Sequence, residues 1–362
     1  MTTVFCPIKL ILRGNNSIST AVLVFLCIVN VYSAAPPLPE DLHQWAIASL
    51  DHVYNEDLKE SEEEVRRIIR KYPDHPAGYF MMAVVIDAWM VKFQSKKKEN
   101  EFYRYCDLAI EKGEKLLSKD PGDQWAKFFI GGADGYKGTY EARYERWITA
   151  FRYGWKGVSV LLELQDAKSD IVDINYGVGS YDYWRSALMK VLWWMPGVED
   201  KRESGIQKLY VARQRGVYTR NFASSALVDI LLNEKRYKEA LEIADEMLQK
   251  YKRSTLFQWG KARALFGLKR YDEARMIFQS ILSKVEADPQ DNHYNAALCH
   301  LLIAKIDMEL NRYEQVIAEV NRMGHYEFDN EVRKRLDKPF SEARHLKRKA
   351  LSAQQKREEI SE

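Results

Sequence analysis

The chain has 362 residues, of which 46% are hydrophobic and 30% charged, and it includes nine Trp. This composition excludes a wholly disordered chain, because it supplies enough apolar and aromatic surface for a continuous core. The 55 basic and 52 acidic residues leave a formal net charge of +3. Such a balance argues against a nucleic-acid-binding protein, which requires a clustered basic surface.

The N-terminus has the pattern of an export signal. Lys9 and Arg13 precede an apolar run from Ala21 to Ala34 that ends in small residues. This run is shorter than the roughly 20 residues that a helix needs to cross a bilayer, so a retained membrane anchor is the weaker interpretation. We therefore predict a signal peptide over residues 1–34, no stable membrane span after its cleavage, and a mature chain in the periplasm or at the cell surface.

The second half of the chain repeats itself. The segment "KRYKEALEIADEML" begins at residue 235, "KRYDEARMIFQSIL" begins 34 residues later at 269, and a looser copy, "NRYEQVIAEV", begins at Asn311. Apolar residues recur three and four apart on both sides of a polar break, which predicts two amphipathic helices joined by a tight turn. A 34-residue period with a small residue at Ala240 and Ala274, where two helices cross closely, resembles the tetratricopeptide repeat.

Two sets of small residues extend the pattern toward the N-terminus with a period of 48 residues. One set marks second helices and the other, independently, marks first helices. Together they predict about seven helix pairs, with longer helices in the first half of the chain. The second-helix set is Ser61, Ala109, Gly157 and Gly205, and the first-helix set is Ala83, Gly131 and Gly179.

These patterns predict an all-α fold, a solenoid of tetratricopeptide-type helical hairpins wound into a right-handed superhelix. Each hairpin needs its neighbours to bury its apolar face, so the array folds only by stacking. The predicted boundaries are 35–219 for the hairpins with the 48-residue period, 220–323 for the C-terminal repeats, and 324–362 for a capping helix and charged tail. Within that tail a basic strip, 347–349, has a second interpretation as a contact with an anionic surface.

The middle of the chain resembles a particular family. The segments "GVGSYDYW" at 177–184 and "WWMPGVEDKRESGIQKLYVARQRGVYTRNFA" at 193–223 are similar to those of exported bacterial tetratricopeptide proteins. They are distantly similar to the eukaryotic tetratricopeptide family that includes the inclusion body clearance protein of the mitochondrial outer membrane. The resemblance implies a helical scaffold in the cell envelope and no reaction. The export signal departs from the eukaryotic relatives.

No motif for catalysis or metal binding emerges. The seven His are scattered, without HExxH or ligand spacing beside Cys or acidic residues. Asp166, Asp170 and Asp173 lack the spacing of a calcium loop and fit helix starts better. Cys106 and Cys299 could pair in an exported protein, but their apolar helical contexts favour buried free thiols. We predict no enzyme activity, no cofactor and no metal.

In tetratricopeptide arrays the first helices of successive units line a concave groove. Aromatic anchors beside isolated charges suit such a groove to a peptide, because rings supply contact area and polar groups fix the register. About half of the residues counted to this face are expected to pack between hairpins instead. The predicted partner-binding residues are Trp125, Phe128, Phe222, Asp229, Trp259, Arg263, Phe266, Lys305 and Met308.

The sequence thus predicts a non-enzymatic scaffold of the cell envelope that binds a protein or peptide partner, and not nucleic acid, through its concave face. An alternative from a different class stays open, in which the protein is a small-molecule-binding component of an envelope transport system. Its ligand pocket would lie where the long helices of the first half meet. The aromatic residues that could line this pocket are Trp125, Trp147, Trp155, Trp184, Trp193 and Trp194.

Overall fold

The computed structural model describes residues 38–189 and 199–361, and all of them belong to one compact unit. Throughout these residues the regular secondary structure is helical, and no β-strand occurs. The predicted signal peptide, residues 1–34, lies outside the described part of the chain. The helices are α1 (Glu40–Asn55), α2 (Leu58–Lys71), α3 (Pro76–Lys92), α4 (Glu99–Lys119), α5 (Gln124–Arg143), α6 (Trp147–Asp166), α7 (Ile174–Met189), α8 (Arg202–Arg215), α9 (Arg220–Asn233), α10 (Tyr237–Lys250), α11 (Thr255–Gly267), α12 (Tyr271–Glu286), α13 (Tyr294–Glu309), α14 (Tyr313–Met323), α15 (Asn330–Arg335) and α16 (Asp337–Ser361).

Helices α1 to α14 form seven hairpins, each made of two consecutive helices that pack against each other. We number them from hairpin 1 (α1 and α2) to hairpin 7 (α13 and α14). Each second helix also packs against the first helix of the next hairpin, and α16 packs against α13 and α14 at the C-terminal end. This stacking confirms the predicted all-α solenoid of helical hairpins.

Six of the hairpin turns share one backbone motif, in which a residue just after the first helix takes a left-handed conformation. In hairpin 6 the N–H of Arg270 donates to the C=O of Leu265 at 2.9 Å, and the N–H of Lys269 donates to the C=O of Phe266 at 3.0 Å. This Schellman pattern satisfies the last carbonyls of a helix. No Gly occupies the position, so each turn carries the steric cost of a Cβ at positive φ. The six residues, with φ between 47° and 66°, are Glu56, Gln94, Glu145, Lys235, Lys269 and Asn311.

Glycines let the helices of hairpins 3 and 4 cross at backbone contact. A Cβ added to Gly157 on α6 would lie 2.5 Å from the carbonyl oxygen of Gly131 and 2.4 Å from the amide nitrogen of Gly135, both on α5. In hairpin 4, a Cβ on Gly205 would lie 2.6 Å from the carbonyl oxygen of Gly179. The two sets of small residues with the 48-residue period therefore face each other across these crossings.

The shorter hairpins cross on slightly larger side chains. Ala240, Ala274 and Val316 occupy the corresponding places on α10, α12 and α14, and each is completely buried. A methyl or isopropyl group at these crossings fills the space between the helices. The helices of hairpins 5 to 7 thus need no direct contact between their backbones at this point.

The first helices lie on the inner side of the curved array. Consecutive first helices contact each other directly from α1 through α11, whereas consecutive second helices of hairpins 1 to 6 make no comparable contact among the described residues. Elements on the inside of a bend lie closer together than those on the outside. The first helices therefore form the concave face and the second helices form the outer face.

Asp173, one of the three predicted helix-start acids, fastens hairpin 4 to hairpin 5. Its carboxylate accepts hydrogen bonds from the backbone N–H groups of Val217, Tyr218 and Thr219 at 3.0, 2.8 and 2.7 Å, and from the Thr219 hydroxyl at 2.8 Å. It precedes α7 in sequence, but the free N–H groups that it satisfies lie just before α9. A buried carboxylate with this many donors stabilises the junction between the long and short hairpins.

Candidate functional site on the concave face

The five aromatic residues predicted to bind a partner all pack against other side chains of the protein. Phe128 is buried, and the ring of Trp125 lies 5.3 Å from that of Phe128. Trp259 and Phe266 each pack against an aromatic ring of α12, at centroid distances of 5.3 and 5.7 Å. Phe222 lies between rings of α1 and α7, at 5.9 and 5.8 Å. These contacts place the rings of Trp259 and Phe266 within hairpin 6 and that of Phe222 between hairpins, where they support the concave face.

The four other predicted residues divide into covered and accessible pairs. Lys305 forms an ion pair with Glu342 of α16 at 2.7 Å, and Met308 packs against a buried cluster that α13, α14 and α16 share. The C-terminal helix therefore contacts both residues. Asp229 and Arg263 form an ion pair at 2.9 Å, and their side chains keep 53% and 48% exposure. Of the nine residues, these two are the best placed to meet a partner.

Hairpin 1 reaches across the concave side and contacts hairpins 5 and 6. The Tyr54 side chain is buried, and its ring lies 5.9, 5.5 and 5.9 Å from those of Phe222, Tyr251 and Phe257. The Tyr251 hydroxyl donates a hydrogen bond to Asp51 at 2.5 Å. About 200 residues separate the two sides of this contact. The protein thereby fills the part of its own concave face that lies at the start of α9 and α11.

Charged groups reinforce the contact of hairpin 1. Glu56 accepts a hydrogen bond from the backbone N–H of Thr255 at 2.5 Å and forms an ion pair with Lys284 at 2.9 Å. Asp57, beside it in the same turn, pairs with Arg253. The Glu56 side chain is only 16% exposed, so this pair is less screened by solvent than an ordinary surface pair.

Hairpin 2 makes a parallel contact with the loop between α12 and α13, with the start of α13 and with the end of α15. Lys92 forms an ion pair with Asp288 at 3.3 Å, and its carbonyl accepts a hydrogen bond from Asn295 at 2.9 Å. Arg335 donates to the carbonyl and the side-chain oxygen of Gln94, both at 2.7 Å. The segment inserted between hairpins 6 and 7 thus meets the tip of hairpin 2.

The inner wall between these contacts is lined by tyrosines. Burial raises the pKa of Tyr54 and Tyr136 well above the ordinary value, and it raises the pKa of Tyr176 to about 12. A bidentate pair between Asp87 and Arg143, with distances of 2.6 and 3.0 Å, joins α3 to α5 nearby. The phenols stay neutral at physiological pH, so this wall offers rings and hydroxyl groups without adding negative charge.

An open pocket with a volume of about 430 Å³ lies at the opposite ends of the same first helices. It contains the Asp229–Arg263 ion pair, and Trp184 forms part of its wall with 43% of its surface exposed. Although half of the Asp229 side chain is open to water, the surrounding walls desolvate it enough to raise its pKa, and Arg263 opposes that shift. The other lining residues are Leu232, Asn233, Lys235 and Tyr237.

The tryptophans of the first half do not line one enclosed cavity in the described residues. Trp125 packs between α5 and Tyr218, at a centroid distance of 5.7 Å from that ring. Trp147 and Trp155 lie on α6, which belongs to the outer face, and are 49% and 52% exposed. Trp184 alone borders the concave pocket, while residues 193 and 194 lie outside the described part of the chain. These rings lie on different helices and on different faces of the solenoid, and a count of tryptophans in the sequence does not show this.

Sequence reasoning missed most of the pocket's rim. Asn233 and Lys235 lie at the hairpin turn, which the sequence indicates only as a polar break, and Tyr237 begins α10 and was expected only to cover that turn. Asp229 and Arg263 were each predicted to face the groove, as isolated charges, and the structure shows that these two side chains, 34 residues apart, form an ion pair. Trp184 belongs to a unit with the longer period, so the repeat count did not place it beside them.

The comparisons with known proteins agree with this architecture. The family model described as tetratricopeptide repeat matches residues 231–298, which run from the end of α9 into α13. These are tetratricopeptide repeats. Hairpins 1 to 4 lie outside the matched range and continue the same alternation of first and second helices, with the longest helices in hairpins 2 and 3. No curated protein matches the chain.

Solved structures similar to this chain include two with tetratricopeptide repeats. A tetratricopeptide repeat protein from Parabacteroides merdae is 15% identical, with 84% of this chain and 99% of that chain covered and a TM-score of 0.37. The tetratricopeptide repeat domain of P58(IPK) is 13% identical, with 86% and 99% covered and a TM-score of 0.25. Scores this low do not establish a shared superhelix.

Two further features bear on the chemistry of the described residues. None of their helices is long and apolar enough to cross a membrane. They contain no cluster of three or more His, Cys, Asp or Glu side chains with the geometry of a metal site. Cys106 and Cys299 are buried free thiols, and burial raises the pKa of each.

Proposed function

We propose that this protein is a non-enzymatic scaffold that binds a segment of a protein partner at the concave pocket around Asp229, Arg263 and Trp184. The tetratricopeptide fold supports a role in protein interaction. The observation that carries the proposal is the contrast within the concave face. Its five predicted aromatic residues pack within hairpins, between hairpins or against hairpin 1, whereas the pocket keeps an ion pair and the ring of Trp184 open to solvent.

The composition of the pocket suits a polypeptide segment. Trp and Arg are the residues that most often dominate protein interfaces, and a partner that covers them would exclude water from the ion pair. Asn233 and Tyr237 at the rim can exchange hydrogen bonds with backbone groups, which fix the register of an extended segment. Asp229 and Arg263 together present both signs of charge, so the partner segment is expected to carry a complementary charged pair.

We propose further that the scaffold works in the cell envelope. The apolar run from Ala21 to Ala34, preceded by Lys9 and Arg13, supports export. The resemblance of residues 177–184 and 193–223 to exported bacterial proteins points to the same location. Fractionation of source cells tests this directly, since the account expects a processed chain outside the cytoplasm, and an unprocessed cytoplasmic chain would contradict it.

Site-specific photo-crosslinking tests the binding site. A photoreactive residue at Lys235, on the rim of the pocket, is expected to give one discrete protein adduct in source cells. The same residue at Met276, which is 62% exposed on α12, serves as the control on an outer helix. In the Lys235 background, Arg263→Glu is expected to abolish the adduct. Equal adducts from both positions, or an adduct that survives Arg263→Glu, would contradict the proposed site.

A further inference from the structure

An apolar patch lies on α6, on the outer side of hairpin 3, and extends to the C-terminal end of α7. Five large apolar side chains on α6 and α7 are between 49% and 89% exposed. We call them the α6–α7 patch. They are half of the exposed large apolar side chains in the described residues, and such a concentration marks an interaction surface and not ordinary scatter. The five are Trp147, Ile148, Phe151, Trp155 and Leu188.

Helix geometry makes the patch continuous. Ile148, Phe151 and Trp155 lie three, four and seven residues apart and therefore share one side of α6. The ring of Trp155 lies 6.1 Å from that of Tyr181 on α7. Leu188 follows Tyr181 by seven residues, so it lies on the same side of α7, about 10 Å farther along that helix, and Trp184 lies on this side between them.

The charged side chains of the patch are mainly basic. Arg152 and Arg185 are exposed and have no acidic partner among the described residues. Lys156 lies 3.0 Å from the carboxylate of Asp134, but its side chain is still 60% exposed. Glu145 is the exposed acid in the turn that precedes α6. The patch therefore combines aromatic and aliphatic side chains with an excess of positive charge.

We propose that the α6–α7 patch docks on the surface of an anionic lipid bilayer. Trp side chains suit the boundary between headgroups and acyl chains, because their rings are apolar and their N–H groups need a polar partner. Phe151 and Ile148 would enter the acyl boundary, while Arg152 and Arg185 would meet the lipid phosphates. This is peripheral binding, in which the patch lies on the membrane and no helix crosses it.

Other occupants fit the patch less well. In a symmetric dimer the same surface would face itself, and the excess basic charge of Arg152, Arg185 and Lys156 would be placed against its own copy. A peptide would need a groove, but Ile148 projects from the helix with 89% of its surface exposed. The patch shares no residue with the concave pocket, and Leu188, one helical turn after Trp184, lies at the edge of the patch nearest to that pocket. The proposal does not depend on the proposed function.

Vesicle flotation tests the proposal. The protein is expected to float with phosphatidylglycerol-containing vesicles, with a blue shift of Trp fluorescence, and to float at least tenfold less with pure phosphatidylcholine. The double variant Ile148→Ser and Phe151→Ser should lower flotation at least tenfold. Met276→Ser, which removes an exposed apolar side chain elsewhere, should leave flotation unchanged. The substitutions in both variants are at exposed positions, and an unchanged melting temperature will show that each variant is folded.

Three outcomes would overturn the proposal. The first is the absence of flotation with either vesicle. The second is equal flotation with both vesicles, because the charge of the bilayer would then play no part. The third is a concentration-dependent dimer of the wild type that Ile148→Ser and Phe151→Ser abolish, because a second copy would then be the occupant. A charge variant, Arg152→Glu with Arg185→Glu, should reduce anionic flotation and remove its sensitivity to salt.

Discussion

Hairpins 1 to 4 of the first half and hairpins 5 to 7 of the second half use the same plan with different crossing residues. In hairpins 3 and 4 the helices meet backbone to backbone at Gly157 and Gly205, whereas in hairpins 5 and 6 a methyl group from Ala240 or Ala274 separates them. The small residue therefore sets how closely two helices approach, whatever their length, since the helices of hairpin 3 have 20 residues each and the described helices of hairpin 4 have 16 and 14. The two properties vary independently along one solenoid.

The two regions also divide the surface between them. Hairpins 1 and 2 contribute Tyr54, Glu56 and Lys92 to contacts that cover one end of the concave face of the later hairpins. The short hairpins contribute Asp229 and Arg263 to the pocket that stays open. The early hairpins thus shape the site by occupying part of the concave face, and the later repeats provide the pair that can recognise a partner.

The largest effect is expected from adding a side chain to a glycine at a helix crossing in the first half of the chain. Gly157→Ala places a Cβ 2.4 Å from a backbone nitrogen and 2.5 Å from a carbonyl oxygen, and neither can move without shifting α5. We expect a loss of about 3 kcal/mol in the free energy of unfolding, measured by urea denaturation. Gly135→Ala is the matched control, because its Cβ would meet nothing within 4 Å. It should gain up to about 1 kcal/mol from helix propensity.

A smaller effect is expected from the contact between the two regions. Glu56→Lys should cost about 1 kcal/mol, because it removes a partly buried partner from Lys284 and places two like charges together. The double variant Glu56→Lys with Lys284→Glu should recover part of this loss. Faster amide exchange in residues 50–57 of the single variant would locate the effect. No coupling between the two substitutions would show that the pair does not hold hairpin 1.

A modest gain in stability is expected when glycine replaces a residue with left-handed backbone conformation in the second half of the chain. Lys269 has φ of 60°, so Lys269→Gly should stabilise the protein by about 0.5 kcal/mol. The same change at Lys284, inside α12, should destabilise it by about 1 kcal/mol or more, because Gly is unfavourable within a helix and the ion pair is lost. Melting temperatures of the two variants check the contrast, and a loss of stability in Lys269→Gly would count against the turn geometry.

The smallest effect is a pH dependence of stability that arises at the start of α3. The Nδ1 atom of His75 accepts a hydrogen bond from the N–H of Ala77 at 3.2 Å, and burial lowers the pKa of His75 while Asp123 opposes the shift. As the pH falls, the unfolded chain therefore binds the proton before the folded chain does. The stabilisation is complete above the ordinary pKa of His, and it is lost as the pH falls from that pKa toward the lower pKa of His75 in the folded protein.

His75→Asn isolates this contribution. Asn keeps an acceptor at the helix start but does not titrate in this range. The urea midpoint of the wild type should fall more between pH 7.5 and pH 5.5 than that of His75→Asn. Identical decreases in the two proteins would mean that His75 carries none of the pH dependence.

Local patterns made most of the fold predictable. Ala240 and Ala274 identified the repeat because each crossing lies within one hairpin, where spacing along the sequence determines which residues meet. The repeat count also assigned Asp229 and Arg263 to the concave face, but it did not predict that they form an ion pair. The contact of Glu56 with Lys284 was not predictable, because it spans 228 residues and depends on the accumulated curvature of several hairpins. The spacing of the repeats determines which helices are neighbours, whereas contacts across the concave side depend on the curvature of the whole array.

The thermal melt of the protein from residue 35 onward, with and without fractionated envelope extract, tests the central claim that the concave pocket holds a protein partner. We predict a rise of a few degrees with the fraction above ~10 kDa, none with the fraction below ~3 kDa, and no rise for the double variant Trp184→Ala with Arg263→Glu. A rise with only the small fraction, or an equal rise for the double variant, would contradict the account.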